Sequence, residues 1–183
     1  MRFSGKSGVA SQKEDSVYNK ENSSKQRCRK GSCVKQDKKE DDELETTFVL
    51  LKPDAFERAL VGDIIARFER KGLKLVRAEM RVVSKELAAR HYAHLVGKPF
   101  YPKIEAFITR GPVLATAWRG RDAIDVVRRL VGATDAALAE PGTIRGDWAC
   151  LYTENLVHAS DSPDAARREL ANFFPNDPEF GER

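Results

Sequence analysis

Between residue 46 and the C-terminus, apolar β-branched runs alternate with segments whose apolar residues recur at helical spacing. This alternation constrains the fold more than any other feature of the chain. Residues 46–51 (TTFVLL) predict a buried strand, stopped by Lys52-Pro53-Asp54. Val61, Ile64, Ile65 and Phe68 then recur at helical spacing as far as Lys71-Gly72. Residues 73–83 return to strand character. Ser84, with Glu86 close behind, predicts the N-cap of a helix through Ala88, Tyr92 and Leu95, broken at Gly97-Lys98-Pro99. A second short helix is predicted over 100–109, a strand over 113–118, and an amphipathic helix over 122–131 with Ile124, Val127 and Leu130 on one face. Residues 132–147 carry Gly, Pro, Thr and Asp and read as a loop. A strand around Leu156-Val157-His158 leads into a last helix, with Ser162 as N-cap and Pro163 at its first position, ending near Phe173-Phe174-Pro175. The order predicts an α+β fold of the ferredoxin-like βαββαβ kind: one antiparallel sheet with helices on one face, a helical insertion and a C-terminal helix.

Residues 1–45 differ in kind. They are rich in Lys, Ser, Gln, Asn, Asp and Glu, show no periodicity, and use mainly lysine where the remainder prefers arginine. Such a segment buries too little apolar surface to offset its ordering entropy, so a disordered tail is expected ahead of a single domain over 46–183. Gly5-Lys6-Ser7 imitates the end of a phosphate-binding loop but lacks the earlier glycine, the strand and the helix that such a loop requires. Cys28 and Cys33 have no histidine or second cysteine pair in the tail to complete a zinc site. Three cysteines argue against a disulfide framework. With no apolar stretch after Met1 and no run near the roughly 20 residues that span a bilayer, the expectation is a cytoplasmic protein without membrane contact. The net charge of +4 is mild, and acidic residues at 40–43 offset the tail's lysines, so nucleic acid is not an expected partner.

Histidine is scarce, at His91, His94 and His158. His91 and His94 share a charged helix with Arg90 and read as solvated. His158 leaves an apolar strand just ahead of a helix start, where free N–H groups and the helix dipole favour negative charge. That setting suits a nucleophile that takes a phosphoryl group, although location alone leaves a buried structural histidine equally open. Phosphoryl transfer depends on positioning and charge neutralisation. Lys52 at the end of the first strand, Arg128 on the fourth predicted helix and Arg145 in the following loop are candidate cations; taken singly, each also reads as a surface ion pair.

The segments TTFVLLKPDAFERALVGDIIARFERKGLKL, HYAHLVGKPFYPKIEAFITRGPV, RRLVGATDAALAEPGTIRGDWA and ENLVHASDSPDAARRELANFFP, in that order, resemble nucleoside diphosphate kinases of bacterial type over residues 46–175. PGTIRGD and N-x-x-H-x-S-D-S carry most of the specificity. The resemblance implies phosphoryl exchange between nucleoside tri- and diphosphates by a ping-pong route through a phosphorylated His158. It implies that Lys52 and Asn155 meet the sugar hydroxyl, that Arg128, Thr134 and Arg145 hold the distal phosphates, and that Phe100, with Ile104 beside it, stacks on the base. Tyr92 would stand near the transferred group, and Glu169 would orient the imidazole. It further implies Mg2+ bound mainly through the nucleotide phosphates, without a dedicated protein cage, and a homo-oligomer, tetramer or hexamer. Three features depart from the family pattern: Ala159 follows the nucleophile in place of glycine, Asp135-Ala136 replaces a pair ending in proline, and Trp148 and Tyr152 are enlarged. If position 159 requires positive φ, its Cβ costs roughly 1 kcal/mol or more. A catalytically weakened, oligomeric nucleotide-binding member is therefore the alternative reading.

Overall fold

The computed structural model describes residues 44–181. The tail expectations, with Gly5-Lys6-Ser7, Cys28 and Cys33, lie outside the described residues. Four strands, β1 (Leu44–Leu51), β2 (Lys74–Val82), β3 (Pro112–Arg121) and β4 (Val157–Ala159), make one sheet in the order β2-β3-β1-β4 with every neighbour antiparallel. Strand β3 therefore lies between β1 and β2, and β1 lies between β3 and β4, as the βαββαβ plan requires.

Strand alternation gives the sheet two apolar faces. On β1, Val49 and Leu51 join one core, and Phe48 and Leu50 join the other. Helices α1 (Pro53–Glu57), α2 (Val61–Arg70) and α5 (Ala123–Val131) cover the first face through Ala55, Ile64, Phe68, Val127 and Val131. The two crossover helices of the plan thus share a face, as expected. The insertion, α3 (Lys85–His91) and α4 (Tyr101–Ile108), and the C-terminal α7 (Pro163–Phe173) add a second layer on the other face through Leu87, Ile108, Leu170 and Phe173. Both predicted caps form: Ser84 Oγ accepts from Leu87 N–H, and Ser162 Oγ accepts from Ala165 N–H, each at 3.2 Å.

The chain departs from the sequence expectation at two places. Pro53 at a first helical position starts the short α1 where only a strand end was expected. The 132–147 stretch is not simply loop: Asp135 Oδ1 accepts from Ala137 N–H to cap a 3₁₀ turn at Ala136–Leu138, and Thr143 caps α6 (Ile144–Trp148). Asp135 thereby supplies local order to this stretch. No helix among the described residues is long and apolar enough to cross a membrane.

Candidate active site

His158 stands in the middle of β4, opposite Leu50. Its neighbours Val157 and Ala159 turn into the α2/α5 core, so the imidazole faces the α3/α7 layer. The ring lies near Phe48 and Tyr92, with centroids 6.3 and 6.4 Å away, and meets His91 edge-on at 4.6 Å. Its side chain keeps 25% exposure, enough for a ligand to reach it. His158 Nε2 lies 2.8 Å from Glu169 Oε1 on α7, and the other carboxylate oxygen, Oε2, accepts from Ser160 Oγ at 2.6 Å. Burial opposes charge on Glu169, but the bonds to His158 and Ser160 prevail and hold its pKa below the usual carboxylate value. The carboxylate is therefore ionised and accepts a proton from Nε2, which leaves the lone pair on Nδ1.

A cationic cluster is built where β1 ends. Lys52 Nζ donates to Asn155 Oδ1 at 2.6 Å and to Thr153 O at 3.3 Å. Burial, then the charge of Arg145, push Lys52 down to about 7, against a smaller opposing pull from Asp54. Asn155 is itself fixed, its amide donating to Thr134 O at 2.8 Å and Tyr152 O at 2.9 Å. Arg145, buried on α6, donates to the carbonyls of Gly132 at 2.9 Å and Val157 at 2.7 Å, and burial followed by Arg128 lowers its pKa to about 10. Gly132 takes φ +86°, and a Cβ there would lie 2.4 Å from Thr143 Oγ1, so the turn that presents this carbonyl to Arg145 needs glycine.

The sequence-derived residues thus converge in large part. His158, Glu169 and Tyr92 form one group. Lys52, Asn155 and Arg145 form another, joined to Thr134 through its carbonyl and to Arg128 through its charge. Burial drives the Tyr92 hydroxyl pKa well above its usual value, so it stays protonated. Phe100 stands apart at the N-cap of α4, half exposed, and Ile104 packs against the core below it.

Two residues packed against His158 and Glu169 escape the sequence analysis. His91 is not a solvated helix residue: it is buried among Phe48, Tyr92, Phe173 and His158, neither ring nitrogen has a hydrogen-bond partner, and burial first, then His158, push its pKa to about 3. The spacing Leu87, Ala88, His91 already marked one buried stripe. His94 is exposed, as expected. Ser160 also escaped, although it sits two residues beyond His158 on the same side of an extended chain. Ala159 carries no strain, because the non-glycine residues with positive φ among those described are Ala59, Asp122 and Leu156. His91, His158 and Glu169 each offer one ligand atom, and these atoms lie within 4.8 Å of one another, a grouping able to hold a metal ion.

An α+β fold that aims a carboxylate-oriented histidine beside buried cations defines a protein that handles anionic groups. The family model for nucleoside diphosphate kinase matches residues 45–178. The chain is 52% identical over 131 residues to a nucleoside diphosphate kinase of Symbiobacterium thermophilum, covering 72% of this chain and 87% of that one. It is 52% identical over 134 residues to that of Archaeoglobus fulgidus, covering 73% and 89%. Among solved structures, a halophilic nucleoside diphosphate kinase from Halobacterium salinarum in complex with CDP superposes with a TM-score of 0.71 at 49% identity, covering 76% of this chain and 92% of that one. The chain belongs to the nucleoside diphosphate kinase family.

Proposed function

We propose that this chain is a nucleoside diphosphate kinase that relays a phosphoryl group through His158. The observation that carries the reading is the 2.8 Å contact of His158 Nε2 with an ionised Glu169, because it leaves Nδ1 as a free nucleophile. In the first half-reaction the Nδ1 lone pair attacks the γ-phosphorus of a nucleoside triphosphate. The N–P bond forms, the bond to the β–γ bridging oxygen breaks, and the diphosphate leaves with that electron pair. In the second, a β-phosphate oxygen of another nucleoside diphosphate attacks the same phosphorus and the N–P bond breaks. The proton stays on Nε2 throughout, hydrogen-bonded to the ionised Glu169, whose negative charge offsets the positive charge that develops on the ring.

Lys52, Arg128 and Arg145 supply the positive field for the phosphates, and the carbonyl bonds of Arg145 hold its guanidinium in place before substrate arrives. Asn155, held by two backbone carbonyls, presents Lys52 and suits a sugar hydroxyl contact. The half-exposed ring of Phe100 can stack on any base through its π-face, which favours broad nucleotide tolerance. Mg2+ fits as a passenger on the nucleotide: a hard cation wants several oxygen ligands, and the metal-capable group at the site, His91, His158 and Glu169, offers two imidazole nitrogens and only one carboxylate oxygen. When bound it would neutralise phosphate charge. Assembly with further copies is supported by the edge strand β2, which leaves Met80 66% and Val82 68% exposed.

Incubation with a γ-labelled nucleoside triphosphate tests the reading. The expected result is an acid-labile, alkali-stable adduct on the wild type, discharged by a second diphosphate and absent from His158→Ala. Exchange persisting in His158→Ala overturns it.

A further inference from the structure

We propose that His91, His158 and Glu169 form a binding site for a borderline divalent cation such as Zn2+, and that filling it switches the phosphoryl relay off. The switching effect rests on the reading of His158 as phosphoryl acceptor; the binding does not.

His91 is the unusual member. A buried imidazole normally hydrogen-bonds through at least one nitrogen, yet both nitrogens of His91 lack a partner, although the ring is only 8% exposed. It is enclosed by Phe48, Tyr92 and Phe173 and directed edge-on against His158. One ligand atom from each of His91, His158 and Glu169 lies within 4.8 Å of the other two. Three-ligand catalytic zinc sites draw on this donor chemistry and keep a fourth position for water. Two imidazoles and one carboxylate select Zn2+, Cu2+ or Ni2+ over Mg2+.

Metal–ligand bonds of about 2 Å require ligand separations of roughly 3.3 Å, so the group must contract on binding. His91 can supply the movement, because it is the last residue of α3 and the backbone leaves helical geometry at Tyr92. Ser160, donating to Glu169 Oε2, would secure the carboxylate from behind.

The consequence for the relay follows from proton placement. A neutral imidazole carries one N–H. A cation shared with Glu169 takes the lone pair at Nε2, so the remaining proton must reside on Nδ1, and the nucleophilic lone pair is gone. No proton leaves the ring and no redox change is involved. Occupancy and phosphorylation then exclude each other.

The test titrates Zn2+ into nucleotide-free full-length chain by calorimetry, in a Cys28→Ser/Cys33→Ser/Cys150→Ser background that removes competing thiols. Co2+ serves as the spectroscopic stand-in. One ion per chain is expected, with the intense visible bands of four-coordinate Co2+. His91→Phe preserves ring volume and His91→Gln preserves a polar end; each should weaken Zn2+ binding by at least the ~10-fold that disturbing a metal ligand's surroundings costs. Circular dichroism confirms that both variants fold. Zinc-loaded enzyme, freed of unbound Zn2+ and assayed with the Mg2+–nucleotide, should form no labelled adduct until a chelator that takes Zn2+ in preference to Mg2+ is added. Equal affinity in wild type and both His91 variants, or no binding by the wild type, overturns the site. Adduct formation at the metal-free rate overturns the switch. If even metal-free enzyme forms no adduct, the relay reading fails while the titration still decides the site.

Discussion

The buried carboxylate of Asp54 accepts the backbone N–H of Leu156 at 3.0 Å, and Leu156 is held there at φ +71°. From the same turn, Lys52 N–H donates to Leu156 O at 2.8 Å. One residue is thus gripped on both sides by Lys52-Pro53-Asp54. It is also the residue that separates Asn155, the partner of Lys52, from the strand bearing His158. Val157 N–H donates back to Asn155 O at 2.8 Å, so Leu156 is the centre of a γ-turn with positive φ. Such a sparsely populated backbone conformation costs about 1–3 kcal/mol, and the clamp holds the chain in a shape it would not keep alone.

Asp54→Ala should expose that dependence. Leu156 N–H would be left buried without an acceptor, at a cost of about 1–3 kcal/mol. Asp54→Asn retains an acceptor oxygen and should stay within about 1 kcal/mol of wild type. Urea unfolding measures both, and an unshifted midpoint for Asp54→Ala would mean that the clamp bears no load. Turnover should fall with the alanine variant, because Asn155 and His158 lose their shared reference point.

Glu169 and Ser160 act in series, and their variants should differ in size. Glu169→Ala removes the group that fixes the imidazole tautomer and should lower kcat by about 10²–10³, within the range for acid–base partners, with little change in KM. Ser160→Ala leaves the carboxylate on His158 but frees it to move, and should cost about tenfold or less. A rise in KM with unchanged kcat would place both residues in nucleotide binding instead.

These contrasts separate what was legible in the sequence from what was not. Caps at Ser84 and Ser162, the proline at position 163 and the helical stripe of Val61, Ile64 and Phe68 are local signals, and the structure follows them. His158, Lys52 and Arg145 were legible through motif and resemblance. The Leu156 conformation was not, because it is imposed by Asp54, 102 residues away. The burial of His91 is hidden for a related reason: Arg90 makes its helix look solvated, whereas burial is decided by the packing of α3 against α7 and β1. The second helical layer likewise follows from Phe48 and Leu50 needing cover opposite Val49 and Leu51, a requirement of the assembled sheet.

Ala159 gives a direct test of the weakened-enzyme alternative. The residue has ordinary strand conformation, pairs with Val49 and is buried in the α2/α5 core, facing away from the imidazole. Ala159→Gly should therefore leave turnover unchanged and lower stability by about 0.5–1 kcal/mol through added chain entropy. A large gain in activity would instead show that this methyl group restrains catalysis.

Lys52 predicts the pH behaviour. Burial, then Arg145, lower its pKa from 10.5 to about 7. The unfolded chain therefore binds more protons than the native one between those values, and this residue makes stability rise with pH across the window. Activity should run the other way, because protonated Lys52 is the form that attracts phosphate. The profile of kcat/KM, which reports the free enzyme, should fall as pH rises through about 7. Bound phosphates bring negative charge to the ammonium and raise its pKa, so the corresponding limb of kcat should lie at higher pH. Lys52→Gln should remove both the limb and the stability rise while lowering turnover by about 10²–10³. Coincident limbs in kcat and kcat/KM would show that the ammonium does not face the bound phosphates.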